Sequence, residues 1–252
     1  MIELKEVVRY LDKELRIEEI PDYPGALNGL QLENNGIVTK VAAAVDASLP
    51  VFKKAVAAGA DLLIVHHGMF WQGVQKVVDS QYEKLKMAMD ANLAVYSAHI
   101  PLDIHQEWGN NVLLCKKLGM LNTERFHPWK GELLGLREEM DLSLDELVKR
   151  VRLAVGGEVN VCHGRKSDKV GVVGVITGGA GSEVQTMAES GINTFITGEG
   201  PHWSYPLAQE LGINVIYGGH YATETFGVHK LIEILKQNYQ LCNHFIDLPS
   251  GI

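Results

Sequence analysis

The chain has 252 residues, 46% of them hydrophobic and 21% charged, and a formal net charge of −8 with histidine neutral. This suits one large α/β unit or two small lobes with a buried core, and the negative balance argues against a broad grip on nucleic-acid backbone. Cys115, Cys162 and Cys242 are scattered and form no CxxC pair, so neither a zinc knuckle nor a disulfide framework is expected. An N-terminus charged every two or three residues is not a secretory signal, and no apolar run reaches the ~18 residues of a membrane span. A cytoplasmic protein with free thiols and no membrane partner is the expectation.

Ile2, Leu4, Val7, Val8, Leu11 and Leu15 recur at helical spacing, so residues 2–16 read as an amphipathic helix, ended by Pro21 and Pro24. Strands are expected at 41–45, 62–65 and 93–96, with helices at 49–58, 80–91 and 109–119 between and after them. The pattern recurs later, with strands at 170–176, 194–197 and 214–217 and helices at 182–190, 204–211 and 224–237. Strands that are apolar throughout and alternate with helices imply mostly parallel sheets covered on both faces.

The two series correspond residue by residue. AVAAGADLLIVHHG (55–68) matches MAESGINTFITGEG (187–200), and NLAVYSAH (92–99) matches INVIYGGH (213–220). Such a repeat predicts two pseudo-symmetric α/β halves, residues 1–122 and 169–252. Residues 123–168, with a turn at Trp129-Lys130-Gly131 and a helix near 143–154, read as a linker or small inserted subdomain.

In open α/β sheets, functional groups collect at the C-terminal ends of strands. His66, His67, His99, Glu199 and His220 all fall there, and Asp103 and Glu224 each follow a histidine by four residues. On a helical turn, i and i+4 share a face, so each strand end offers an imidazole beside a carboxylate. Six or seven N/O donors exceed the needs of one tetrahedral zinc and suit two divalent ions. With no cysteine among them, Zn, Mn, Fe, Co or Ni is expected. The loop Gly178-Gly179-Ala180-Gly181-Ser182 lacks both the dinucleotide and the P-loop order and reads as a tight turn rather than a phosphate cradle.

The stretches LNGLQLE (27–33), IVHHGMFW (64–71), SAHIPLDIHQEWGNN (97–111), FITGEG (195–200) and GGHYATE (218–224) resemble the NIF3 family, also called the DUF34 or GTP cyclohydrolase 1 type 2 homolog family. The resemblance implies a two-metal centre held by His66, His67, Asp103, His220 and Glu224. It places His99 and Glu199 close to the metals, as catalytic candidates, and it implies a ring-shaped homohexamer. In one departure, the turn before Gly29 reads Ala26-Leu27-Asn28 where an Asp-Asn start is common. The leading functional expectation is a metal-dependent hydrolase of a nucleotide-like small molecule. A non-catalytic metal-binding adaptor or regulator is the alternative, and a DNA-acting nuclease is disfavoured by the charge.

Overall fold

The computed structural model describes residues 1–73 and 75–251. In chain order the elements are β1 (Ile2–Glu3), α1 (Leu4–Leu15), β2 (Gly29–Leu32), β3 (Ile37–Val38), β4 (Lys40–Asp46), α2 (Leu49–Ala57), β5 (Leu62–His67), α3 (Asp79–Asp90), β6 (Ala94–Ser97), α4 (Ile100–Asp103) and α5 (Asn110–Leu118). There follow β7 (Glu124–Trp129), β8 (Glu132–Ser143), α6 (Leu144–Val155), β9 (Asn160–Cys162), β10 (Lys169–Val175), a 3-10 turn at Ala180–Glu183, α7 (Val184–Glu189), β11 (Thr194–Thr197), α8 (Ser204–Leu211), β12 (Asn214–Tyr217), α9 (His220–Thr223), α10 (Thr225–Tyr239) and β13 (Cys242–Phe245). They form two compact units, residues 1–102 with 227–248, and residues 103–226 with 249–252.

The first unit is built on a sheet of order β13-β4-β5-β6-β2, parallel except for β2 at the edge. Residues 41–45 and 62–66 are buried without a break, as strands covered on both faces must be. On one face Ala42, Ala44, Leu63, Val65 and Val95 pack with Phe52 and Ala55 of α2 and Ala88 of α3. In α1, Leu4, Val7, Leu11 and Leu15 form the buried stripe that the helical spacing predicts. Strand β13 belongs here because Cys242–Phe245 pair in parallel with Lys40–Ala43. The sequence repeat alone groups residues 227–248 with the second half, and the pairing of β13 corrects that boundary.

The second unit holds a sheet of order β7-β8-β10-β11-β12-β9. Its centre, β10-β11-β12, is parallel, and its three other pairings are antiparallel, so the expectation of mostly parallel strands describes the first sheet better. Alternate side chains serve opposite faces: Val173, Ile196 and Ile216 meet Leu147 and Val151 of α6, whereas Phe195 and Val215 meet Met187 and Ala208. Residues 123–168, read from sequence as a linker or small inserted subdomain, supply half of the strands. β7 and β8 form a hairpin whose two-residue turn, Lys130 (φ 46°) and Gly131 (φ 92°), has both φ positive, as tight hairpins of type I′ require.

The repeat survives in three dimensions. β4-β5-β6 and β10-β11-β12 run parallel in the same order, and the chemistry-bearing residues leave the ends of β5, β6, β11 and β12.

Candidate functional site

In the first unit, His66 and His67 end β5 and His99 follows β6. Each histidine has Nδ1 engaged by an oxygen. His66 Nδ1 lies 2.8 Å from the Ala98 carbonyl, His67 Nδ1 2.8 Å from Asp46 Oδ1 and His99 Nδ1 2.9 Å from Asp22 Oδ1. An oxygen acceptor at Nδ1 holds the proton there and turns the Nε2 lone pair outward, the pattern of metal-ligating histidine. The ligating atoms of the three residues lie within 4.8 Å of one another. Trp71 stands beside this group, its ring centroid 4.6 Å from that of His99 and 5.2 Å from that of His67.

Asp22 organises the approach to His99. Its carboxylate accepts hydrogen bonds from His99 Nδ1, Asn28 Nδ2 (2.8 Å), the Ile100 N–H (2.9 Å) and the Tyr23 N–H (2.6 Å). Burial pushes its pKa up, but the bond to and charge of His99, with the Asn28 and Tyr23 donors, outweigh that and hold it below the ordinary aspartate value. Asn28 Oδ1 in turn accepts the His99 N–H at 2.8 Å. Gln31 ties the same loop to the end of β5. Its amide nitrogen donates to the Ala26 and Leu27 carbonyls (3.0 Å each), and its oxygen accepts the Met69 N–H at 2.7 Å. A Cβ on Gly68 would stand 2.2 Å from the Gln31 amide, so this crossing needs glycine.

In the second unit, α9 starts at His220, and Glu224 caps its end. The expected one-turn spacing brings His220 Nε2 to 3.1 Å from Glu224 Oε2, while His220 Nδ1 lies 2.7 Å from Glu199 Oε1. Burial lowers the pKa of His220, but the bonds and charges of Glu224 and then Glu199 prevail and raise it to about 9. Without a cation, the ring is an imidazolium held between two carboxylates. Asp103, buried, accepts from Asn110 Nδ2 at 2.8 Å and lies 3.4 Å from the Thr177 hydroxyl.

The glycine loop at 178–182 is a tight turn, as its sequence suggested. Gly178 has φ +71°, and a Cβ there would stand 2.1 Å from Glu224 Oε1. Its carbonyl accepts the Gly198 and Glu199 N–H groups (2.8 and 3.0 Å). The glycines make room for a carboxylate.

Sequence reasoning missed Asp22, Asp46 and the bracing role of Gln31. No sequence signal joins Asp22 to His99 or Asp46 to His67, because the pairs are separated by 77 and 21 positions. Of the other histidines, His105 caps a local turn through Nδ1, His229 stacks on Phe245 at 3.7 Å, and His127 is buried with φ +65°.

The Duf34/NIF3 (NGG1p interacting factor 3) family model matches residues 2–249. A Deinococcus radiodurans protein named GTP cyclohydrolase 1 type 2 homolog is 36% identical over 249 residues, covering 98% of this chain and 94% of its own. A Pyrococcus abyssi protein of the same name is 37% identical over 255 residues and covers both chains fully. The crystal structure of a Thermus thermophilus protein superposes with a TM-score of 0.89 at 37% identity over the whole of both chains. No described helix is long and apolar enough to cross a membrane.

Proposed function

The chain belongs to the Duf34/NIF3 family, and from that premise we propose that it is a two-metal hydrolase acting on a nucleotide-like small molecule. The observation that carries the reading is the first unit's group of three histidines, each with Nδ1 engaged by an oxygen and together offering ligand atoms within 4.8 Å. Each set by itself has too few donors for two ions, whose shells need at least four ligands each. The proposed ligands are the five that the family resemblance implies, His66, His67, Asp103, His220 and Glu224. The donors fit a divalent ion such as Zn, Mn, Fe, Co or Ni, being imidazole nitrogens and carboxylate oxygens with their outer atoms already engaged. When bound, such ions polarise an electrophile and acidify water near neutrality.

The chain's own groups do the rest. Asp46 and the Ala98 carbonyl fix the rings of His67 and His66, and Asn110 orients Asp103. His99 Nε2, a lone-pair atom through the hold of Asp22 on Nδ1, is the proposed proton acceptor for the attacking water. Glu199 orients His220, and its half-exposed carboxylate is the proposed proton carrier to the leaving atom. The name of the relatives suggests a purine nucleotide ring as the electrophile. The family resemblance also supports a homohexamer, which light scattering on the purified protein would test.

The deciding experiment is elemental analysis of wild type and of Asp103→Ala with Glu224→Ala. About two transition ions per chain in wild type, lost in the folded double variant, is the expected result. No stoichiometric ion, even after reloading with Zn, Mn, Fe, Co or Ni salts, defeats the hydrolase reading.

A further inference from the structure

The second unit contains a cavity of about 260 Å³ that Asp103 lines. The rest of its wall divides by chemistry. Leu133, Leu134 and Leu136 are apolar, whereas Arg125, His105 and Thr123 are polar. Buried guanidinium groups ordinarily stand against a carboxylate. Arg125 is half-buried, yet its hydrogen bond runs from Nη2 to the Ile104 carbonyl (2.6 Å), and it makes no ion pair among the described residues. That bond fixes one arm of the fork, and the remaining N–H groups keep a full positive charge to offer. Arg137, across the same hairpin, pairs instead with Glu124 at 3.4 Å. The Nδ1 of His105 accepts the Glu107 and Trp108 N–H groups (3.2 and 3.0 Å).

A guanidinium and a hydroxyl in a wall that also carries three leucines suit a ligand that has both an oxyanion and an apolar part. The cavity is smaller than the ~300–1,000 Å³ that encloses a whole drug-sized ligand, so it matches one part of a larger molecule. We propose that this cavity is the anchoring subsite of the substrate, with Arg125 binding its phosphate or carboxylate group. The assignment rests on the hydrolase reading for the role of Asp103 as a metal ligand. The oxyanion site itself rests on Arg125 and the cavity alone.

The test is isothermal titration of the full chain with orthophosphate and, in a second arm, acetate, before and after chelator treatment, with metal content measured in parallel. Wild type should bind one of the two ions in both states. Arg125→Gln should weaken that binding roughly tenfold to a hundredfold, the worth of a charge-assisted hydrogen bond, with metal content unchanged. Thr123→Glu leaves the bond from Arg125 to Ile104 in place but sets a carboxylate in the cavity, and should weaken binding comparably. Arg137→Gln should bind as wild type does. Preference for orthophosphate marks the substrate group as a phosphate, and preference for acetate marks a carboxylate. Failure of both ions to bind at 10 mM or so, or equal affinity in wild type, Arg125→Gln and Thr123→Glu, overturns the proposal. Because binding is read without metal as well, absence of metal from wild type would sink the hydrolase reading and leave this result standing.

Discussion

Replacing Asp22 by asparagine tests whether the lone pair of His99 is set by its partner. Oδ1 of Asp22 receives His99 Nδ1–H and the Tyr23 N–H, and Oδ2 receives Asn28 Nδ2–H and the Ile100 N–H. An asparagine must turn its NH2 toward one of these pairs. Facing Asn28 and Ile100 it meets two donors that cannot change: a backbone amide, and a side-chain amide whose oxygen already accepts the His99 N–H. Each such clash costs about 1–3 kcal/mol. Facing the other pair it meets the Tyr23 N–H, on an exposed residue that water can serve, and an imidazole that can move its proton. The cheaper outcome is the second, so His99 should switch tautomer, taking the amide's hydrogen at Nδ1 and carrying its own proton on Nε2. Unfolding free energy should fall by about 2 kcal/mol, one clash plus the lost charge-assisted bond.

The switch would also place an N–H inside the 4.8 Å group formed with His66 and His67. His99 is not among the proposed ligands, so metal affinity should stay within the roughly 10–100-fold loss that follows when a partner behind a ligating histidine is removed, while the atom proposed to take the water's proton is lost. Competition with a chromophoric chelator measures the affinity, long-range 1H–15N spectra of the histidine rings report the tautomer, and urea melts give the stability. An Asp22→Asn protein that still shows His99 protonated at Nδ1 would refute the argument.

Three further changes follow from the same geometry. In chelator-treated protein the folded pKa of His220, about 9, lies above its unfolded value near 6.5, so its contribution should be complete below pH ~6.5 and lost as pH rises through ~9. With Glu199 partly exposed the size is about 1–2 kcal/mol. The stability gap between wild type and Glu224→Gln should narrow by that much between pH 6 and pH 9.5 in denaturant titrations, and a constant gap would contradict it. Gly178→Ala adds a Cβ 2.1 Å from Glu224 Oε1 at a φ of +71°. It should cost about 2–4 kcal/mol and sharply reduce bound metal by elemental analysis, whereas Gly157→Ala, with nothing near its Cβ, should keep its metal. Gln31→Ala removes three hydrogen bonds to loop backbone and should lower the urea midpoint by the equivalent of about 1–3 kcal/mol. It should also speed amide exchange at Met69.

The residues that sequence reading could place were those set by local periodicity. Uninterrupted apolar runs gave the central strands, because burial on both faces leaves no polar position to blur the pattern, as at Leu62–Val65. The His-x-x-x-Glu spacing predicted the approach of His220 to Glu224, because one helical turn fixes it. The strands toward the sheet edges were invisible. β2, β7, β8 and β9 mix exposed and buried positions, and the pairings that join them to their sheets lie far along the chain, so residues 123–168 read only as a linker or small inserted subdomain. The same distance hid Asp22 and Asp46, since only the fold brings either carboxylate to its histidine.

The repeat also explains why the two donor sets differ. In the alignment His66 corresponds to Gly198, His67 to Glu199 and His99 to His220. Gly198 cannot carry a side chain, because its Cβ would stand 2.6 Å from the Cα of His220. The second unit therefore gives up one imidazole to let α9 begin against β11, and Glu199 and Glu224 then flank the imidazole that remains. The first set is three imidazoles and the second is rich in carboxylate. Imidazole alone leaves the +2 charge of a bound ion uncompensated, and carboxylates alone favour hard, oxygen-loving ions. A proposed centre with both ligand types would balance charge against nitrogen affinity in a way that neither type alone provides.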